Sequence, residues 1–168
     1  MTKINFIPFS IVLIVLFLKS SDVIAHNKNE TITINKDSIT INGQNKDTTI
    51  VSGNNDSTTI SINDSRNISI NNLSVSNGKT GISINFSSVY VFNSKIENNY
   101  LEGLKVVLNS YININNTQVN NNHGLGLERK FHSTADIDNS EFNNNPSGGI
   151  SSTMGSIVTI LNSKMSNE

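Results

Sequence analysis

Apolar and polar residues alternate in short runs along most of this chain. Thr31-Ile32-Thr33-Ile34, Ser38-Ile39-Thr40-Ile41, Thr58-Thr59-Ile60-Ser61-Ile62 and Gly81-Ile82-Ser83-Ile84 place an aliphatic side chain at every second position. Successive side chains on a strand point to opposite faces, so each run predicts a short strand with one apolar side. Polar turns separate the runs, and no apolar pattern of helical period appears after the first thirty or so residues.

The runs also recur. Five segments, Asn72-Leu73-Ser74-Val75, Asn93-Ser94-Lys95-Ile96, Asn116-Thr117-Gln118-Val119, Asn139-Ser140-Glu141-Phe142 and Asn162-Ser163-Lys164-Met165, close on apolar residues 21, 23, 23 and 23 positions apart. A second Asn follows two residues later in each, at Asn77, Asn98, Asn121, Asn144 and Asn167. An apolar residue stands two before the first Asn, at Ile70, Val91, Ile114, Ile137 and Ile160. A fixed period of this length with strand-type alternation is the mark of a solenoid. Three alternating runs fit in each unit, which predicts an all-β, single-stranded right-handed parallel β-helix of about six rungs, three strands per rung. Asn tolerates the left-handed backbone that a corner between short strands demands. The two Asn columns are therefore expected to form structural ladders whose amides stack along the axis.

The first 25 residues read differently. Lys3 precedes an apolar run from Phe6 to Leu18, and Val23-Ile24-Ala25 ends in a small residue before His26. This is the anatomy of a secretory signal peptide, and the run is shorter than the roughly 20 apolar residues that span a bilayer. Residues 1–25 are expected to be a leader and 26–168 the β-helix, secreted, or periplasmic or surface-bound if bacterial, with no transmembrane span after cleavage. The final repeat ends without a cap, which predicts either end-to-end self-association through the C-terminal rung or a shortened relative of a longer protein.

The 168 residues carry a formal net charge of −1, which points away from nucleic acid as a partner. No Cys is present, so disulfides and thiolate chemistry are unavailable. Asn is heavily used, but its phase with Ile and Val separates this chain from disordered polar tracts.

The stretch from Ser38 to Gly53 resembles the opening rungs of the pectin-lyase-like superfamily, and within it the carbohydrate-binding and sugar-hydrolysing β-helix group. That resemblance implies the fold over nearly all of the mature chain and a polysaccharide or cell-surface glycan as partner. The segment Phe142-Asn143-Asn144-Asn145-Pro146-Ser147-Gly148-Gly149-Ile150 is similar to one repeat of chlamydial-type polymorphic outer-membrane proteins, which implies a surface role. His123-Gly124-Leu125-Gly126-Leu127 is similar to the His-Gly element of polygalacturonases, although the accompanying aspartates are missing.

Candidate chemistry is sparse. Glu102, read as one rung before His123 in the same column, would lie roughly 5 Å from it and could form an acid/base pair. With Arg129 and Lys130 these are the catalytic candidates. Glu128-Arg129-Lys130-Phe131-His132-Ser133-Thr134 concentrates charge in a connection that looks longer than its counterparts, so Glu128, Arg129, Lys130, His132 and nearby Asp136 are the ligand-binding candidates. No metal-ligand spacing and no cofactor motif occurs. Among several Asn-x-Ser/Thr sequons, Asn29 and Asn55 are the expected glycan acceptors. The functional expectation is a non-enzymatic polysaccharide-binding or surface-associated protein. The alternatives are a polysaccharide lyase or glycoside hydrolase and a truncated inactive paralogue.

Overall fold

The computed structural model describes residues 15–18, 23–25 and 32–166, and all regular structure among them is β. The chain visits three parallel sheets in fixed order. The first sheet holds Val15–Leu18, Thr40–Gly43, Ile68–Asn71, Ser88–Phe92, Tyr111–Asn115, Thr134–Asp138 and Ile157–Leu161. The second holds Val23–Ala25, Ile50–Ser52, Ser74–Ser76, Lys95–Glu97, Gln118–Asn120, Glu141–Asn143 and Lys164–Ser166. The third holds Ile32–Ile34, Ile60–Asn63, Ile82–Asn85, Leu104–Val107, Leu127–Arg129 and Ile150–Ser152. Each strand pairs with its counterpart one turn away. From Thr40 to Ser152 this makes five complete turns, and the strands Ile157–Leu161 and Lys164–Ser166 begin a further one.

Val15–Leu18 pairs with Thr40–Gly43, and Val23–Ala25 with Ile50–Ser52, so parts of the segment read as a leader join the ladders of the full chain. The remainder of that segment, the cleavage point before His26, and Asn29 and Asn167 lie outside the described residues.

The core consists of columns of aliphatic side chains along the axis. Ile41, Ile70, Val91, Ile114 and Ile137 stack in the first sheet, and Ile60, Ile82, Leu104 and Leu127 in the third. All are buried. Parallel pairing at about 4.8 Å between strands brings like residues into contact at every turn, so one favourable aliphatic position is reused repeatedly.

Each corner solves two problems at once. The chain must reverse direction, and it must satisfy backbone N–H groups that have left the sheets. Between the first and second sheets a residue with positive φ (Asn93 at 45°, Asn116 at 49°, Asn139 at 47°) precedes a buried hydroxyl residue (Ser94, Thr117, Ser140). The hydroxyl oxygen accepts the N–H of its counterpart one rung earlier: Ser94 N–H donates to Thr117 Oγ1 at 3.4 Å and Thr117 N–H to Ser140 Oγ at 3.1 Å. Between the third and first sheets a serine column does the same, with Ser65, Ser87, Ser110 and Ser133 linked at 3.0–3.2 Å.

Between the second and third sheets Asn77, Asn98, Asn121 and Asn144 have positive φ, as does Asn55 one rung earlier. Their amides do not form the expected ladder, since Asn77 donates to Ser52 Oγ at 3.0 Å and no side-chain bond links Asn98, Asn121 and Asn144. The amide ladder runs one residue later, through the fully buried Asn99, Asn122 and Asn145. Asn99 Nδ2 donates to Asn122 Oδ1 at 2.8 Å, and Asn122 Nδ2 to Asn145 Oδ1 at 3.2 Å and Ile96 O at 3.0 Å. Glycine is required alongside, because a Cβ at Gly103 would stand 2.7 Å from the Asn122 amide nitrogen. The outward column between the first two sheets is a true ladder over part of its length. Asn72, Asn93 and Asn116 each donate to the Asn one rung below, at 3.1, 2.8 and 3.1 Å, starting from Asn42. It stops at Asn139, which together with Asn162 donates to Asp138 instead.

Candidate functional site

Most of the sequence-derived candidates do not converge. The column containing Glu102 runs Thr80, Glu102, Leu125 and Gly148: Thr80 Oγ1 donates to Glu102 Oε2 at 3.0 Å, and Leu125 Cδ2 lies 3.6 Å from a Cβ position at Gly148. His123 is exposed in the next column, tilted against Tyr100 with ring centroids 6.4 Å apart, and its Nδ1 lies 3.1 Å from Asn99 O. The proposed Glu102–His123 stack is thus out of step by two residues. The Gly103–Gly126 and Leu104–Leu127 pairings set that register.

The charged loop from Glu128 to Thr134 is also corrected. Leu127–Arg129 is a third-sheet strand and Thr134 opens a first-sheet strand, leaving a four-residue corner, 130–133, no longer than 64–67. Leu127 continues an aliphatic column, and this carries the strand through the charged residues. Glu128 faces outward between two lysines, with Lys130 Nζ at 2.6 Å and Lys105 Nζ at 3.3 Å. Burial pushes the Glu128 carboxyl up, but the two ammonium groups outweigh it and hold the group below the usual carboxylate range. Arg129 points into the core. His132 is exposed at the corner with φ 60° and packs over Gly155. Asn55 is exposed on its turn with φ 65°. Among the described residues no three His, Asp or Glu side chains gather to hold a metal ion.

Asp136 alone of the ligand-binding candidates stands on an organised surface. Sequence alternation turns Tyr90 and Phe92, Tyr111, Asn113 and Asn115, and Asp136 and Asp138 outward from three adjacent first-sheet strands. Register aligns Tyr90 with Asn113 and Asp136, and Phe92 with Asn115 and Asp138. Tyr111 aligns with Ser88 and Thr134, one outward position before the Tyr90 column, and meets that column diagonally. Its hydroxyl donates to Asp136 Oδ2 at 2.9 Å, and its ring meets Tyr90 edge to face at 6.1 Å and 67°. Partial burial, and then the bond to Asp136, raise the Tyr111 pKa, so the phenol remains a donor. Asp138 is held by the amides of Asn139 and Asn162 at 3.1 and 3.0 Å.

The distribution of aromatic residues singles out this face. Of the seven whose burial is described, Phe86, Tyr90, Phe92, Tyr100, Tyr111, Phe131 and Phe142, only Phe142 is buried. Soluble proteins usually bury such rings. Here Tyr90, Phe92 and Tyr111 lie on the first sheet, and Phe86 and Phe131 on the corner leading into it, each of the four exposed ones by 42–52%. Four exposed aromatic side chains thus gather beside carboxylates and amides on one side of the solenoid. Sequence reading missed Tyr90 and Tyr111. They stand in adjacent columns, 21 positions apart where the repeat is 23, so their contact is diagonal and no column of the repeat shows it. The signal that could have found them is Tyr at the outward phase of two consecutive first-sheet runs.

This architecture places the chain by class. Residues 14–165 match the model of the "Right handed beta helix region" family, and the chain belongs to that family. Among solved structures it is similar in fold to a pectin methylesterase from Yersinia enterocolitica, with 14% sequence identity and a TM-score of 0.68. The similarity covers 96% of this chain and 63% of that one, so the chain spans under two thirds of that enzyme's length. A search of curated proteins found no match.

Proposed function

We propose that this chain is an exported, non-enzymatic β-helix protein that binds a neutral polysaccharide along the outer face of its first sheet. The observation that carries the reading is the gathering of Tyr90, Phe92 and Tyr111 on one flat face with Asp136 and the Asn113–Asn115 amides between them. Aromatic faces attract the slightly positive C–H groups of a sugar ring, and carboxylate and amide oxygens accept its hydroxyls. Charge narrows the ligand. From Thr40 to Leu161 the outward positions of this sheet include Asp136 and Asp138 and no Lys or Arg, so a polyuronate would be repelled and an uncharged chain would not. The catalytic alternative has less to rest on, since Arg129 is turned into the core and His123 stands two positions out of step with Glu102.

Binding to immobilised neutral glycans (xyloglucan, highly methyl-esterified pectin, chitin oligomers) and to polygalacturonate tests the reading. The expectation is saturable binding to at least one neutral member and none to polygalacturonate. Tyr111→Ala should weaken that binding by about tenfold or more, as for other aromatic anchors. Preference for the acidic polymer, or binding indifferent to Tyr111→Ala, would overturn it. Export is read from the leader, and N-terminal sequencing of secreted chain should begin at His26; a retained Met1 would refute cleavage.

A further inference from the structure

The third-sheet column Ile62, Ile84, Val106, Arg129, Ser152 interrupts an aliphatic stack with a guanidinium. Strand alternation leaves no choice: Leu127 and Arg129 share the inward phase, and Glu128 takes the outward one. Arg129 is fully buried. Its Nη1 donates to the carbonyl of Ile157, which orients the planar group. Its Nε and Nη2 are buried without a hydrogen-bond partner. Those two nitrogens carry the parallel N–H groups along one edge of the guanidinium, the fork that fits two oxygens of a carboxylate or similar oxyanion. The nearest acid in sequence, Glu128, is on the other side of the sheet and committed to Lys105 and Lys130.

An unpaired buried charge costs several kcal/mol, and guanidinium cannot escape by losing its proton. Burial disfavours the charged form here with no anion opposing it. The rung above offers a way in. Ser152, the next residue of the column, is small, where the earlier positions of the column carry Ile, Ile and Val.

We propose that Arg129 is the anchor of an internal oxyanion site, in which one carboxylate or comparable oxyanion docks bidentately on Nε and Nη2 from the Ser152 side. The site is separate from the aromatic face and independent of the glycan reading. The guanidinium supplies the positive charge, Ile157 O fixes its plane, and the small Ser152 side chain leaves the approach open.

The chain has two arginines, Arg66 and Arg129, so side-chain Nε–H signals in nitrogen-15 spectra can be assigned with Arg66→Lys. Titrating the full chain with sodium acetate, against sodium chloride at equal ionic strength, should shift the Arg129 Nε–H saturably and leave that of Arg66 unmoved. At an acetate concentration a hundred times the dissociation constant, Tm should rise by roughly 5 °C or more. Arg129→Met, close in volume and uncharged, should be more stable than the parent without acetate and gain nothing specific from it. Arg129→Lys, which keeps the charge but not the fork, should lose most of the response. Sodium sulfate as a second probe separates sources: a response to both anions supports a general oxyanion site, and a response to acetate alone supports a carboxylate site. An Arg129 signal that moves no differently in acetate, sulfate and chloride overturns the proposal. So does an equal Tm response in the parent and Arg129→Met, and because the spectral test uses the parent chain, it stands even if a variant fails to fold.

Discussion

Two corners of the same solenoid, Phe86-Ser87 and Asn93-Ser94, differ in one side chain. Both are two-residue turns between strands, and their first residues adopt nearly the same left-handed backbone, φ 48° and 45°. In both the serine is buried, its N–H donates to a hydroxyl one rung later at 3.2 and 3.4 Å, and its own Oγ–H donates to a carbonyl two residues back at 2.7 and 2.8 Å. The inner machinery is therefore shared. Only the outer residue changes, from an Asn that suits this backbone to an exposed Phe that does not. The contrast extends along the axis. Aligned positions at the two other corners carry Asn, whereas this corner carries Asp64, Phe86, Leu108 with Asn109, Phe131 with His132, and Met154 with Gly155, all at positive φ. The buried polar residue sets the turn, and the exposed one is available for another purpose, at a strain cost of about 1–3 kcal/mol each. Phe86 and Phe131 border the aromatic face of the first sheet, and under the proposed glycan reading they form its apolar rim.

The comparison breaks most severely from the inside. Asn122→Leu removes the middle of the buried amide ladder, strands the Asn99 N–H and takes one hydrogen bond each from the Asn99 amide and the Ile96 carbonyl. A loss of about 3–5 kcal/mol is expected from several unsatisfied buried groups, read as a drop in urea midpoint. A loss below about 1 kcal/mol would mean that the ladder is not what holds these corners.

The outer position is sharpened by reciprocal exchange. Phe86→Asn should stabilise the chain by about 1 kcal/mol by relieving backbone strain. Asn93→Phe should destabilise it by about 1–2 kcal/mol, because it also cuts the amide chain joining Asn72 and Asn116. Equal and opposite effects would assign everything to backbone strain. No gain from Phe86→Asn would mean that Phe86 already finds compensating contacts. The same variant should weaken glycan binding, tying the strain to function.

A smaller effect distinguishes the charged strand from its neighbours. Glu128 is held below the usual carboxylate range by Lys130 and Lys105, so it binds a proton less readily folded than unfolded. Its contribution to stability is complete above the ordinary value of 4.5 and disappears as pH falls through the depressed folded value. Glu128→Gln should lower stability by a small, pH-independent amount above about pH 4.5 and flatten the profile below it. An unchanged acid limb would contradict the assignment.

The sequence made the scaffold legible because one period was repeated through Ile70, Val91, Ile114, Ile137 and Ile160, and because Asn marked the corners. Its reading of those corners was one residue short in places. Asn98 and Asn121 turn the chain, but their neighbours Asn99 and Asn122 bond inside it, and adjacent Asn residues cannot be told apart without knowing which faces the axis. Glycine gave an unused clue, since Gly103 and Gly126 stand four residues after Asn99 and Asn122. The candidate site was less visible for a different reason. Charge attracted attention to Glu128–Thr134, yet phase put Arg129 inside and Glu128 outside. Asp136 was noticed, whereas its partner Tyr111 was hidden because the two meet diagonally, one outward position apart, and not in one column. Strand phase and register decide both cases, and neither follows from residue type.

The central claim is that the outer face of the first sheet is the binding surface. Amide chemical shifts of nitrogen-15-labelled chain, titrated with a neutral oligosaccharide that binds in the glycan panel, test it most directly. Perturbations should cluster on Ser88–Phe92, Tyr111–Asn115 and Thr134–Asp138 and at Phe86 and Phe131, with Lys105, Glu128 and the second sheet unmoved. Perturbations centred on the third sheet, or spread evenly over all three, would contradict it.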